Sequence, residues 1–368
     1  MSKELKRESV LLYLGVVMKM KKLAVFLIAF LLLLSGCSGK EKVKEPVKEE
    51  KPVTQPEDKA EEPQADPYFY PLTGIGSKTS TDGRAVAVMI NNHPKARPQS
   101  GLNKADIVYE ILAEGDVTRF LAVFQSDMPK TIGPVRSARD YYIHLAKGLN
   151  ALYIAHGYSP EAKEILNGNY IDNLNGMVYD GTLFKRSKTR KAPHNSYITY
   201  ENILKGAKQK KYSMEKGPAP FKFLSEEESK SVSGTDAASV KITYSNGGIS
   251  NSKFEFDAAT GKYKRFSGAE QTVDLDTKEP VLLDNIFIIE AEHEFIDSYG
   301  RRAIDFESGG KAYLLQKGKV NQVEWKNKNG EIIPVKNGEE LALVPGKTWV
   351  NVVPTKPGLQ RIVSLDVK

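Results

Sequence analysis

Arginine side chains are concentrated in one stretch of this lysine-rich chain, and they are its clearest chemical signal. The chain has 12 arginines and 41 lysines, yet residues 86–200 hold six arginines against eight lysines. A guanidinium group is planar and permanently charged, so it can bind a carboxylate or phosphate through two parallel hydrogen bonds. We therefore predict an anion-binding cleft built from Arg97, Arg119, Arg136, Arg139, Arg186 and Arg190.

Two of these arginines lie in residues 133–139, which we predict to open a helix at Pro134. Proline favours the first turn of a helix. An apolar stripe at spacings of three and four follows, formed by Val135, Ala138, Tyr142, Leu145 and Leu149. Arg136 and Arg139 would then share one face of the first turn, where the helix dipole disfavours cations. An anion bound there, with Ser137 and backbone N–H groups as further donors, would explain their position.

The same arginines also fit a purely internal role. Glu110 and Glu114 flank the end of a predicted strand, and Asp140 directly follows Arg139. Ion pairs to these carboxylates would hold irregular loops together. A glutamate in a dry cleft can instead have a raised pKa and serve as a general acid, whereas one beside arginines stays ionised. Glu110 and Glu114 are therefore our candidate catalytic residues, and both interpretations stay open.

Three histidines also lie next to predicted strand ends, where binding residues tend to gather. They are His93, His156 and His194, and Asn195 follows the last of them. We include all four in the predicted ligand site. Their spacing matches no metal-binding motif, so we predict no bound metal and no cofactor.

Several common classes of protein are disfavoured by what the sequence lacks. It has no Gly-x-Ser-x-Gly elbow, no Walker loop, no dinucleotide fingerprint and no cysteine in a catalytic context. The formal net charge is +7, but residues 1–37 hold six basic and two acidic side chains and so contribute +4, leaving +3. Such a weakly basic chain gives no reason to expect nucleic-acid binding.

The N-terminal residues 1–36 have the layout of a signal peptide. Lysines precede the apolar run 23–34, which is short for a membrane span and ends in Leu34-Ser35-Gly36-Cys37. This ending resembles the lipobox of bacterial lipoproteins, which implies cleavage before Cys37 and acylation of its thiol, for instance with palmitate. We predict an extracytoplasmic protein anchored to the membrane through Cys37. Met1, Met18 and Met20 each remain candidate start residues.

The rest of the chain divides into a tether and two parts. Residues 37–67 are rich in Lys, Glu and Pro and predict a disordered tether. Residues 68–215 alternate short apolar strands with helical patterns, which predicts an α/β-type domain with a mixed sheet. Residues 216–238 read as a linker, and 239–368 as an all-β domain whose hairpins follow Gly-rich turns. The fold class is therefore α+β.

Several segments resemble the YerB-like family of bacterial lipoproteins, a two-part domain of unknown function. They include Arg97-Pro98-Gln99-Ser100-Gly101, residues 105–110, residues 133–139, Ala192-Pro193-His194-Asn195 and, in the second part, Pro345-Gly346-Lys347-Thr348-Trp349. The resemblance covers nearly all of the chain after the tether. It implies architecture and location, and it implies no catalytic residues.

Three hypotheses follow for the exported part. The first is a binding protein whose arginines hold an anionic cell-wall glycan, peptide carboxylate or phosphate. The second is an enzyme acting on wall glycan, with Glu110 or Glu114 as general acid. The third is an envelope scaffold with structural arginines, in which Arg136→Ala costs several kcal/mol of stability. Trp325 and Trp349 are expected in the core. The β domain would flank the cleft or bind a protein partner, whose identity the sequence leaves unknown.

Overall fold

Short strands dominate the structure, a computed structural model that describes residues 66–367. The predicted signal peptide, Cys37 and the tether up to residue 65 lie outside the described residues. The strands before residue 216 are β1 (Tyr68–Phe69), β2 (Gly76–Ser77), β3 (Val86–Asn91), β4 (Ile107–Glu114), β5 (Val117–Phe124), β6 (Thr131–Ile132), β7 (Leu152–Ala155), β8 (Asn173–Asn175), β9 (Phe184–Arg186) and β10 (Ser196–Thr199).

The second part of the chain is built almost wholly of further strands. They are β11 (Thr235–Ile242), β12 (Ser252–Asp257), β13 (Lys262–Ser267), β14 (Glu270–Gln271), β15 (Leu282–Leu283), β16 (Asn285–Ala291), β17 (His293–Phe295), β18 (Arg302–Ile304), β19 (Gly310–Gln316), β20 (Lys319–Lys328), β21 (Glu331–Lys336), β22 (Glu339–Glu340), β23 (Thr348–Pro354) and β24 (Val363–Val367).

Helices are few and short between residues 66 and 367. They are α1 (Asp140–Gly148), α2 (Pro160–Asn167), α3 (Gly176–Tyr179), α4 (Tyr200–Lys210), α5 (Glu226–Lys230) and α6 (Leu359–Ile362), with 3-10 turns at Pro94–Ala96 and Leu102–Lys104. No helix in this range has the length and apolar character needed to cross a membrane.

One mixed sheet runs through both parts of the sequence. Its strand order is β8, β7, β3, β5, β4, β23, β16, β19, β20, β21 and β22. Strand β23 lies at the junction and pairs in parallel with β4 on one side and β16 on the other. A smaller antiparallel sheet of β24, β11, β12 and β13 packs on this junction. The α+β class with a mixed sheet is confirmed.

Many predicted elements appear close to their expected bounds. Helix α2 begins after Ser159, whose side chain accepts a hydrogen bond from the backbone N–H of Ala162, and it ends at Gly168. Both tryptophans are buried in the core, as expected. The segment 216–238, predicted as a linker, contains α5 and the start of β11.

The predicted helix start at Pro134 is wrong. Helix α1 begins at Asp140, and the preceding residues are extended. The N–H of Arg136 donates to the carbonyl of Met89 in β3, and the carbonyl of Arg136 accepts from His156 after β7. The apolar side chains of Val135 and Ala138 are buried because this extended segment fits between two strand ends, which mimics the spacing of a helical stripe.

A buried ion pair joins the two parts of the chain beside β23. Glu110 of β4 and Arg265 of β13 have almost no exposed surface, and Nη2 of Arg265 lies 3.0 Å from Oε2 of Glu110. Ser252 donates its hydroxyl to the same carboxylate at 2.9 Å, and Nε1 of Trp349 does so at 3.0 Å. The guanidinium also lies 4.5 Å from the centre of the Trp349 indole ring. Each charge is therefore compensated by several partners inside the core.

Glu110→Gln is expected to lower the free energy of unfolding by about 3–5 kcal/mol, because it leaves the Arg265 charge buried without a counterion. Chemical denaturation of the purified protein measures this change. The control is Glu255→Gln, since the exposed Glu255 pairs with Lys253 at the surface, where such a pair contributes about 0–1 kcal/mol. Equal stability of the two variants would contradict the structural role given to Glu110.

Candidate functional site

Four chain segments meet at the end of strand β3. They are the turn after β3, the extended residues 133–138, the turn after β7, and the β9–β10 hairpin loop. Each segment carries a polar side chain that the sequence had singled out. We call this group the His–Arg cluster, and its members are His93, Arg136, His156, Arg186 and His194.

His93 and His194 form a stacked pair within the cluster, with ring centres 4.5 Å apart and planes 27° from parallel. Nδ1 of His93 accepts the backbone N–H of Lys95, so a neutral His93 carries its proton on Nε2. The side-chain oxygen Oδ1 of Asn91 accepts the backbone N–H of His93, which orients the Asn91 side-chain NH2 group to donate to Nδ1 of His194. His194 therefore also holds its proton on Nε2, and both rings keep an N–H donor for another partner.

His156 is held differently, by Ser196 and Arg186. Its Nε2 lies 2.9 Å from Nη2 of Arg186, and a guanidinium can only donate, so this nitrogen is unprotonated. Its Nδ1 then donates to the Ser196 hydroxyl at 2.7 Å. Arg186 also binds Asp180 through Nε and Nη2 and Asn195 through Nη1. Neutral His156 thus orients an arginine whose charge is balanced by Asp180.

Arg136 differs from its neighbours because its guanidinium has no hydrogen bond or ion pair with any residue in the described range. The side chain is half-buried. Burial, with a smaller contribution from Arg119, lowers the pKa of Arg136 to about 10, so the group remains charged at neutral pH. Its nitrogen atoms still reach solvent, because none of them is among the buried unpaired atoms of the described residues. A bound anion would replace that water with charge-assisted hydrogen bonds.

The histidines of the cluster are neutral at neutral pH and become cations in acid. Burial is the largest cause that lowers the pKa of His93, His156 and His194. Nearby positive charges lower each pKa further, notably Arg136, which acts on all three rings. The cluster therefore carries more positive charge as the pH falls below the ordinary histidine range.

Two of the predicted arginines lie apart from the cluster and share one carboxylate. Nη2 of Arg119 lies 2.6 Å from Oε2 of Glu114, and Arg139 pairs with the other oxygen of that carboxylate. Nη1 of Arg119 also donates to the Ser137 carbonyl at 2.7 Å. The predicted arrangement of Arg136 and Arg139 on one helix face is wrong, because Arg139 caps α1 and its guanidinium pairs internally.

The remaining two arginines bind oxygen atoms of the chain itself, without a carboxylate. Arg190 donates to the carbonyls of Ala96 and Pro98 and to the Tyr197 hydroxyl, which fixes the β9–β10 loop against the turn after β3. Arg97 donates to the Asn92 side chain and the Ile249 carbonyl. Both arginines therefore hold neighbouring turns of the chain together.

The candidate catalytic glutamates lie outside the cluster. Glu110 is enclosed in the core beside Arg265, and Glu114 accepts from Arg119 and Arg139. Within residues 66–367, no group of three histidine, cysteine or acidic side chains has a geometry that could hold a metal ion.

Three cluster partners were missed from the sequence: Asn91, Asp180 and Ser196. Their residue types gave no signal, since each is common in turns and strand ends. Asn91 and Ser196 are buried and orient histidine rings, which only the pairing of distant strands reveals.

The two parts of the chain match two parts of one known family. Residues 72–213 match the N-terminal domain, and residues 240–350 the C-terminal domain, of the protein of unknown function DUF3048. The chain belongs to this family.

A relative named "Putative lipoprotein YerB", from Bacillus subtilis (strain 168), is 48% identical over 286 residues, which is 77% of this chain and 86% of the relative. The crystal structure of the YerB protein from Bacillus subtilis superposes with a TM-score of 0.76 at 46% identity. That match covers 81% of this chain and 99% of the other. The resemblance seen in the sequence is therefore confirmed for the family and its two-part layout.

Arg136→Met is expected to leave the free energy of unfolding unchanged within about 1 kcal/mol, or to raise it. The substitution keeps the packed stem and removes a half-buried charge that has no internal counterion. Arg139→Met is the matched control and should cost about 1.5–3 kcal/mol, because it removes one of the two guanidinium groups that bind the Glu114 carboxylate. Denaturant titration of both variants measures the difference. A large loss for Arg136→Met would favour the scaffold hypothesis.

Proposed function

We propose that this chain is a lipoprotein of the cell envelope that binds an anionic ligand at the His–Arg cluster. The lipoprotein assignment is supported by the relative's name and by the signal-peptide layout ending at Cys37. The binding role is supported chiefly by one observation: the half-buried Arg136 guanidinium has no partner in residues 66–367. An acidic group of a bound ligand would supply the counterion that the Arg136 guanidinium lacks.

The cluster offers donors and few acceptors to such a ligand. Arg136 supplies charge and a planar set of N–H groups, and His93 and His194 supply Nε2–H donors. Donors of this kind suit a carboxylate or phosphate oxygen. The ligand class is therefore an acidic group of the cell wall or its surroundings, such as a peptide carboxylate or a phosphate-bearing polymer.

The structure gives no comparable support to a glycan-cleaving enzyme. Both oxygens of Glu110 accept hydrogen bonds in a closed core, and those of Glu114 are bound by two guanidinium groups. A general acid must reach the leaving-group oxygen of its substrate. Neither glutamate is placed to do so in this arrangement.

Binding of inorganic phosphate and of acetate to residues 37–368, with Cys37→Ser, tests the proposal and separates phosphate from carboxylate chemistry. We expect saturable binding of at least one of them, with a Kd of about 1 mM, seen as a thermal shift and by calorimetry. Arg136→Met should weaken it about tenfold or more. Lys326→Met, at an exposed site on β20, is the control. Binding that survives Arg136→Met would contradict the proposed site.

Anion affinity should rise as the pH falls from about 8 to about 5, because His93, His156 and His194 gain charge over that range or below it. In the absence of the anion, the lowered histidine pKa values make the folded protein less stable as the pH falls. The unfolded chain then binds protons more readily, so stability is lost as the pH falls below about 6.5. Sulfate, which remains a dianion throughout this pH range, should therefore stabilise the protein more at acid pH than at alkaline pH. A gain in Tm independent of pH would contradict this role of the histidines.

A further inference from the structure

A second surface of the molecule combines exposed apolar side chains with an uninterrupted basic loop. Met177 and Val178 on the short helix α3 are 59% and 74% exposed, respectively. Helix α3 is followed by Asp180, which pairs with Arg186 at the start of the β9–β10 loop. The apolar turn and the basic loop are thus joined through one ion pair.

The loop carries a strong excess of positive charge. Residues 181–200 contain no aspartate or glutamate, and their five cations are Lys185, Arg186, Lys188, Arg190 and Lys191. Arg186 is balanced by Asp180, and Arg190 is bound to carbonyl groups. The three lysines are exposed and make no ion pair with residues 66–367. Their charge is available to a partner.

Local packing fixes the apolar turn rigidly enough to act as a contact surface. Gly176, the first residue of α3, lies against the His156 ring so closely that a Cβ there would come within 2.2 Å of ring atoms. The Asn175 side chain accepts the N–H of Met177 and so caps the turn. Because the backbone is held on this side, Met177 and Val178 project away from the core.

Charge distinguishes this surface from another exposed apolar patch. The hairpin of β17 and β18 exposes Phe295 and Tyr299, but its three acidic residues, Glu292, Glu294 and Asp297, outnumber Arg301 and Arg302, so it has no excess of positive charge. An anionic partner is therefore attracted more strongly to the lysine loop. Apolar side chains beside lysines are the combination that binds the interface of an anionic membrane.

We propose that α3 and the β9–β10 loop dock the protein onto the surface of an anionic phospholipid membrane, with Met177 and Val178 entering the interface and Lys185, Lys188 and Lys191 contacting headgroups. The docking surface borders the His–Arg cluster, because His194 lies in the same loop and Arg186 directly precedes it, but the side chains that contact the membrane differ from those that bind the anion. It would orient the folded part of the chain on the membrane rather than leave it free at the end of a tether.

The test is sedimentation of residues 37–368, with Cys37→Ser, on vesicles of phosphatidylglycerol mixed with phosphatidylcholine, against vesicles of phosphatidylcholine alone. We expect binding to the anionic vesicles that weakens as salt rises. Val178→Asp should weaken it about tenfold, and Lys188→Glu with Lys191→Glu about thirtyfold or more. Circular dichroism confirms that each variant is folded.

Two controls keep the result specific. Tyr299→Asp, and Lys326→Glu combined with Lys336→Glu, place the same charge changes at exposed sites elsewhere, and both variants should bind vesicles as the parent does. Arg136→Met should also bind vesicles normally, because Arg136 is not among the side chains proposed to contact the membrane. Equal binding to neutral vesicles, no binding at all, or binding lost in Arg136→Met and kept in Val178→Asp would each overturn the proposal.

Discussion

The ion pair of Glu110 and Arg265 is the interaction on which the architecture depends. It lies where β4 of the first part meets β23, and Arg265 reaches it from the second sheet. Two opposite charges can remain in a core only when each is matched, and Ser252 and Trp349 complete that match from the second part of the chain. The two sequence parts therefore fold around shared polar contacts, and the end of β3 is held firmly enough to carry a site.

The His–Arg cluster at the end of β3 differs from this ion pair, because one of its positive charges is not balanced within the described residues. Arg119, Arg139 and Arg186 find carboxylates within the chain, whereas Arg136 finds none among residues 66–367. Burial, together with nearby cations such as Arg136 and Lys95, lowers the pKa of His93 and His194, so these histidines add donors without adding charge at neutral pH. An anion bound at such a site acts as the counterion of Arg136 and accepts its hydrogen bonds.

Much of the fold could be predicted because its signals are local. The strand 152–155 and the cap at Ser159 follow from apolar runs and capping chemistry. The helix predicted from Pro134 failed because burial between two strands produced the same spacing as a helical face. Most cluster residues could be identified from the sequence by residue type. The sequence could not show which arginine lacks a carboxylate partner, because the ion pairs of Glu110, Glu114 and Asp180 depend on the tertiary structure.

The most direct test of the open charge at Arg136 is diffraction from crystals soaked in sodium selenate, whose selenium atom marks the anion by anomalous scattering. The account predicts a peak within hydrogen-bond distance of the Arg136 guanidinium and near Nε2 of His93 or His194. Peaks elsewhere on the surface with none at Arg136, or an Arg136 side chain turned to an internal carboxylate, would contradict it.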